Sequence, residues 1–175
     1  SKKNAKFLLA STSEIYGETK ELPMKENYYG NVKTTSRRSC YSEAKRLAET
    51  LCYDFYRKYS LDIRIARIFN TYGPNMSNTD GRVINTFITS CITNKPLVIF
   101  GDGNQTRSFC YITDLIEGLF LLKECDYVEP MNLGYPSEIS IIKLLEIIKT
   151  KTNSNSEIIF KKNNENEPFR RVPSI

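Results

Sequence analysis

Short runs rich in β-branched and aromatic residues alternate along this chain with helix-length amphipathic ones. Strands joined by helical crossovers of that kind lie parallel in one sheet, which restricts the chain to an α/β architecture. Residues 6–10 (KFLLA) read as a strand, and 42–59 as a long helix with Ala44, Leu47, Ala48, Leu51, Cys52 and Phe55 on one face. DIRIARIF at 62–69 is a strand, GPNMSNTDG at 73–81 a turn-rich loop, and 82–93 a helix. PLVIF at 96–100 and RSFCYI at 107–112 are short strands around a Gly-Asp-Gly turn. A helix over 113–124 takes Thr113 or Asp114 as its N-cap. PMNLG at 130–134 is strand and turn, 140–151 a helix and 156–162 a last strand, while the bias of 151–167 toward Lys, Asn, Glu and Ser reads as solvated loop.

The 175 residues match one ordinary domain or a piece of a larger one, and a 40% hydrophobic fraction with 11 Tyr and 9 Phe suffices for a packed core. No apolar run reaches the roughly 18 residues of a membrane helix, so no membrane segment is expected. The formal charge of +5 is spread along the chain beside 20 acidic residues, a pattern that speaks against nucleic acid and for an anionic small-molecule site. Five widely spaced cysteines without a CxxC pair read as reduced core residues in a cytosol-like compartment. The chain has no histidine, which removes His-based triads, His proton shuttles and His-containing metal sites; no metal is expected.

The clearest chemical constellation is YSEAK, Tyr41 to Lys45. On a helix an i, i+4 pair shares one face, which puts the Lys45 ammonium over the same surface as the Tyr41 phenol. A phenol is a poor base at neutral pH, and a fixed cation nearby favours its phenolate form. By itself the spacing also suits an ordinary surface pair. The second constellation is STSEIYG at 11–17, where an apolar strand breaks into small hydroxyls and an acid. In open α/β sheets ligands bind beyond the carboxyl ends of the strands. The plainer reading of Thr12 and Ser13 is turn or helix capping.

Taken in order, STSEIYG, the Tyr-x-x-x-Lys helix, ARIFNTYGP at 66–74, GRVINTFI at 81–88, PLVIFGDGNQTRSFCYITDL at 96–115, MNLGYP at 131–136 and EPFRRVPSI at 167–175 resemble the extended short-chain dehydrogenase/reductases, a family of nucleotide-sugar epimerases, dehydratases and decarboxylases. The resemblance runs essentially end to end. It implies a Rossmann-like doubly wound parallel sheet, with residues 1–72 the C-terminal part of the NAD-binding domain. Residues 73–175 become mainly a nucleotide-sugar-binding region that returns a strand and a helix to the sheet. NAD is the implied cofactor, a UDP-sugar the implied substrate, and a homodimer the implied assembly, since the 42–59 helix carries apolar residues on more than one side.

By the same resemblance Thr12 bonds the sugar C4 oxygen, Tyr41 is the acid/base there, and Lys45 holds the nicotinamide ribose and tunes Tyr41. Ala10, Ser11, Phe69 and Thr71 line the cofactor. The residues after Thr12 separate the branches: dehydratases resemble Thr-Asp-Glu here and epimerases lack acids at both places. Thr12-Ser13-Glu14 resembles the branch that decarboxylates UDP-glucuronate to UDP-xylose through a 4-keto sugar. In that branch Ser13 and Glu14 orient the sugar, with Glu14 assisting proton handling. Asn70, Arg82, Asn85 and Arg107 are implied at the diphosphate, Val98 and Phe100 at the uracil, and Arg171 near sugar and diphosphate. For Phe69 and Phe100 a place in the core is the alternative, and for Arg82 an exposed helix charge. The alternative functions are a nucleotide-sugar 4-epimerase or 4,6-dehydratase, and a non-catalytic sugar-nucleotide-binding or dimerising module. None of the eight glycines forms GxGxxG, so the expectation is an incomplete enzyme that lacks the first βαβ units.

Overall fold

The computed structural model describes residues 5–19, 21–77, 79–162 and 170–175. Position 78 of the 73–81 loop, the end of the polar 151–167 stretch and the first three residues of the 167–175 motif lie outside them.

Strand β1 (Phe7–Thr12) runs into a single 3-10 turn (Ser13–Tyr16), and a long loop leads to helix α1 (Ser39–Tyr59). Next come β2 (Ile63–Ile68), β3 (Thr71–Tyr72), α2 (Val83–Ile92) and β4 (Leu97–Phe100). β5 (Thr106–Arg107), β6 (Cys110–Tyr111), α3 (Ile112–Glu124), β7 (Met131–Leu133), β8 (Ile139–Ser140), α4 (Ile141–Thr152) and β9 (Ile158–Lys161) complete the chain. β1, β2 and β7 form a parallel sheet in that order. β4 pairs parallel with β9, β3 parallel with β6, and β5 antiparallel with β8. The α/β reading holds, but among the described residues the strands divide among four sheets rather than one, and the short β5–β8 pair is antiparallel.

The central strand β2 is buried along nearly its whole length, as a parallel strand covered on both faces must be. Its sequence IRIARI nevertheless places two arginines there, and a buried guanidinium needs partners. Arg64 donates to the Cys125 carbonyl (2.6 Å) and pairs with Asp62 (2.5 Å), tying β2 to the end of α3. Arg67 is held within the candidate site. Ile63 and Ile65 pack instead with Cys52 of α1, against Leu9, Tyr53 and Leu61. A second core joins α2, β4 and α4 through Ile84, Phe87, Cys91, Leu97, Ile99, Leu144 and Leu145.

Two expectations are corrected. The N-cap of α3 is Tyr111, because β6 feeds directly into the helix and Thr113 and Asp114 already lie in its first turn. Of the apolar face assigned to α1 only Cys52 is buried, with Ala48 half-buried. Ala44, Leu47, Leu51 and Phe55 face solvent, and the face turned to the sheet carries Ser42, Glu49 and Cys52. Polar bonds to β1 decide that orientation. At the far end Ser60 takes the left-handed conformation (φ 51°) and its N–H closes on the Tyr56 carbonyl, with Arg57 and Lys58 in the last turn facing the negative end of the helix dipole.

Candidate active site

The carboxyl end of β1 and the first half of α1 meet through side chains spaced one helical turn apart. Lys45 donates from Nζ to the Ala10 carbonyl at 2.7 Å, and Glu49, one turn on, accepts from Ser11 Oγ at 2.5 Å. Arg46 bonds the carbonyls of Ile15 and Tyr29 at 3.0 and 2.7 Å, which fastens the following loop to the helix. Gly17 lets this loop close: it has φ 60°, and a Cβ there would stand 2.1 Å from the Asn31 carbonyl oxygen.

Thr12 is buried and its hydroxyl oxygen accepts the Glu14 N–H (3.2 Å), so it caps the 3-10 turn and keeps its own O–H to donate elsewhere. Ser13 is buried beside it. Glu14 reaches the surface and receives Arg38 in a bidentate pair, Nε to Oε2 at 3.0 Å and Nη2 to Oε1 at 2.7 Å. Tyr41, in the first turn of α1, lies between two cations: the Arg38 guanidinium carbon is 5.7 Å and Lys45 Nζ 5.9 Å from its ring centroid. Ala10, Ser11, Thr12, Ser13, Glu14, Tyr41 and Lys45 thus occupy one corner of the molecule.

Directly beneath lies a polar row of which only Ser11 was a candidate from the sequence. Ser11, Arg67 and Asn132 are neighbours across β1, β2 and β7. Arg67 holds Glu49 through Nη2 (2.8 Å) and Nε (3.2 Å), and donates to the Tyr16 hydroxyl (3.1 Å) and the Glu26 carbonyl (2.8 Å). Burial works against the Arg67 charge, and Glu49 together with Tyr16 more than offsets it. Burial also pushes the Tyr16 phenol up, which suits it as the donor to Asn132 Oδ1 at 2.7 Å. Asn132 bonds in turn to the Met24 and Ser174 carbonyls, so the row extends to the C-terminal strap, where Met24 and Val172 also pair. Two arginines in a strand that must be buried on both faces were the available signal.

The remaining candidates fall in separate places. The Asn70 side chain and the Arg171 carbonyl both meet Ser108, next to Arg107, at 3.4 and 3.3 Å, and the Arg107 side chain reaches the Thr106 carbonyl (2.9 Å). Arg82 is exposed and pairs with Asp80 (3.2 Å), while Asn85 bonds the Ser77 carbonyl. Val98 is half-buried and Phe100 exposed on β4. Phe69 is buried against Tyr16 and Met24, and Thr71 bonds its carbonyl (3.0 Å). All five cysteines are free thiols. Among the described residues no group of three Cys, Asp or Glu is placed to hold a metal ion, and no helix is long and apolar enough to cross a membrane.

The chain is 50% identical over 171 residues to UDP-glucuronic acid decarboxylase 1 of Arabidopsis thaliana, covering 98% of this chain and 39% of that protein. It is 43% identical to UDP-glucuronic acid decarboxylase 1 of Xenopus tropicalis, covering 98% and 41%. The chain therefore spans half or less of the length of these curated relatives. Among solved structures it superposes on UDP-N-acetylglucosamine 4-epimerase from Methanobrevibacter ruminantium with a TM-score of 0.89 at 28% identity, covering 97% of this chain and 54% of that one. UDP-glucuronic acid 4-epimerase from Bacillus cereus, solved with UDP-glucuronic acid and NAD, gives 0.84 at 29% identity over 97% and 52%. Residues 1–134 match the model of the NAD dependent epimerase/dehydratase family. The chain belongs to that NAD dependent epimerase/dehydratase family.

Proposed function

We propose that the protein carrying these residues decarboxylates UDP-glucuronate to UDP-xylose, with NAD as a cofactor that ends each turnover unchanged. The observation that carries this reading is Ser13, which stands between Thr12 and Glu14 at the carboxyl end of β1, opposite Tyr41 and Lys45. Removing water from C5 and C6 calls for an acid at that place, whereas loss of carbon dioxide does not. The 50% identity to a protein named as a UDP-glucuronic acid decarboxylase supports the same choice.

Bound NAD would supply a hydride acceptor for sugar C4 and the return of that hydride. The residues at hand fit its ribose: the Lys45 ammonium keeps two N–H donors after its bond to Ala10, at the end of a parallel strand where such ligands lie. Tyr41 removes the proton of the C4 hydroxyl, and Thr12 directs its remaining O–H to the same oxygen. Once C4 is a ketone the C6 carboxylate lies β to a carbonyl, and carbon dioxide leaves an enolate that the carbonyl stabilises. Ser13 and Glu14 orient the ring while C5 is reprotonated. Asn70, Arg107, Arg82 and Asn85 are assigned to the diphosphate, Arg171 to the sugar and diphosphate, Val98 and Phe100 to the uracil, and Ala10, Ser11, Phe69 and Thr71 to the cofactor. Incubation of the intact protein with UDP-glucuronate and NAD is expected to yield carbon dioxide and a UDP-pentose. A six-carbon UDP-uronate of inverted C4 would replace this reading with a 4-epimerase.

The assembly we propose is a homodimer through α1. Leu47, Leu51, Phe55 and Tyr59 recur every fourth residue and are 59%, 47%, 48% and 55% exposed, one continuous apolar stripe. A second copy of the helix, related by a two-fold axis, covers it with an identical stripe. Leu51→Glu is expected to convert a dimer into monomers in sedimentation velocity. A wild-type protein that sediments as a monomer at micromolar concentration would remove this assignment. The free thiols accord with a reducing, cytoplasmic compartment.

A further inference from the structure

We infer that Arg38 is the residue by which this site tells a sugar carrying a C6 carboxylate from one carrying a C6 hydroxymethyl group. The inference rests on the reading of the site as one that binds UDP-glucuronate, and adds to it the contact that selects the acid.

Of the cations in this corner, Lys45 gives one N–H to the Ala10 carbonyl and keeps the others for the ribose, and Arg46 bonds the carbonyls of Ile15 and Tyr29. Arg38 differs. Its side chain is 69% exposed, and among the described residues its guanidinium hydrogen-bonds only to Glu14. That pair uses the Nε and Nη2 edge. A guanidinium has a second edge, formed by Nη1 and the other N–H of Nη2, with the same spacing for a carboxylate. Glu14 therefore acts as an anchor: it holds a long, flexible side chain in one orientation before any ligand arrives, lowering the ordering cost of the second contact.

The position of the guanidinium matches the chemistry. The guanidinium carbon lies 5.7 Å from the centre of the Tyr41 ring. In glucuronate the carboxyl carbon is three bonds from O4. A sugar whose O4 meets the Tyr41 hydroxyl must then present its carboxylate beside Tyr41, where Arg38 stands. The cation also offsets the repulsion that Glu14 and the sugar carboxylate, two neighbouring acids, would otherwise feel. A cation that grips the carboxylate stabilises the bound substrate, and it loses its partner as neutral carbon dioxide departs. Arg38 thus belongs to binding rather than to the acceleration of bond breaking.

The test is Arg38→Met and Arg38→Lys in the intact protein, with affinities for UDP-glucuronate, UDP-glucose and UDP measured by calorimetry, and kcat and KM for UDP-glucuronate. Arg38→Met is expected to weaken UDP-glucuronate by about 10- to 100-fold, the scale of a charge-assisted bidentate contact. UDP-glucose and UDP should stay within about twofold, KM should carry most of the loss, and Arg38→Lys should recover part of it. Equal weakening of all three ligands, or unchanged UDP-glucuronate affinity, overturns the inference. Its failure is separable from failure of the proposed reaction. Selection of the carboxylate through Arg38 by a protein whose product keeps six carbons would uphold the inference and sink the decarboxylase reading, while carbon dioxide release with no change in Arg38→Met would do the reverse.

Discussion

Replacing Tyr41 by Phe in the intact protein is expected to lower kcat by about 10²- to 10⁴-fold, the usual contribution of a positioned acid/base, with UDP-sugar affinity kept within a few-fold. The ring sits in the first turn of α1, between Arg38 and Lys45, whose charges lie 5.7 and 5.9 Å from its centre. Phe keeps the ring and these contacts and removes only the hydroxyl. Nothing in the helix or its attachment to β1 depends on that oxygen, because Lys45 bonds to Ala10 and Glu49 to Ser11 without it. A loss of turnover with retained affinity therefore reports chemistry rather than folding. Turnover within about threefold of wild type would remove Tyr41 from the acid/base role and leave it a surface neighbour of Lys45.

The second large effect is on stability. Glu49→Ala is expected to destabilise the fold by about 3–5 kcal/mol, the cost of stranding one partner of a buried ion pair. Glu49 and Arg67 are each about 10% exposed, and Arg67 is enclosed by Tyr16, Glu26 and the sheet. Without the carboxylate the guanidinium stays in place, since its other bonds go to a phenol and a carbonyl that neutralise no charge. The same change frees Ser11 and loosens α1 where it positions Lys45. Glu49→Gln is expected to recover part of the loss through hydrogen bonding. Urea melts of the three proteins measure the difference, and a midpoint of Glu49→Ala equal to wild type would mean that solvent already reaches Arg67.

The parts of this arrangement that were legible in the sequence are those set by local periodicity. The β1 and β2 strands follow from short apolar and β-branched runs and the α1 helix from its 3.6-residue period, and the Tyr41–Lys45 pairing follows from helix geometry alone. The face of α1 was not legible. A stripe of Leu47, Leu51 and Phe55 is ordinarily the buried one, and here three polar attachments made by Lys45, Arg46 and Glu49 turn it outward. Those attachments depend on register. Ser11 meets Glu49 only because β1 and β2 pair with Ser11 opposite Arg67, and Asn132 joins only because β7 continues the row. Thr12 is a cap as well as a candidate ligand, a double use that residue type alone does not separate. The Arg38–Glu14 pair closes across 24 residues of chain, beyond any local pattern.

The central claim is that these residues serve the loss of a carboxylate from a 4-keto sugar, and it is tested most directly by turning over UDP-glucuronate with the intact protein and NAD in deuterium oxide and reading the product by NMR. The account predicts a UDP-pentose with one solvent deuteron at C5, the substrate's own hydrogen still at C4, and carbon dioxide equal to the pentose formed. A product that keeps C6, with C4 inverted and no deuterium at C5, would contradict it.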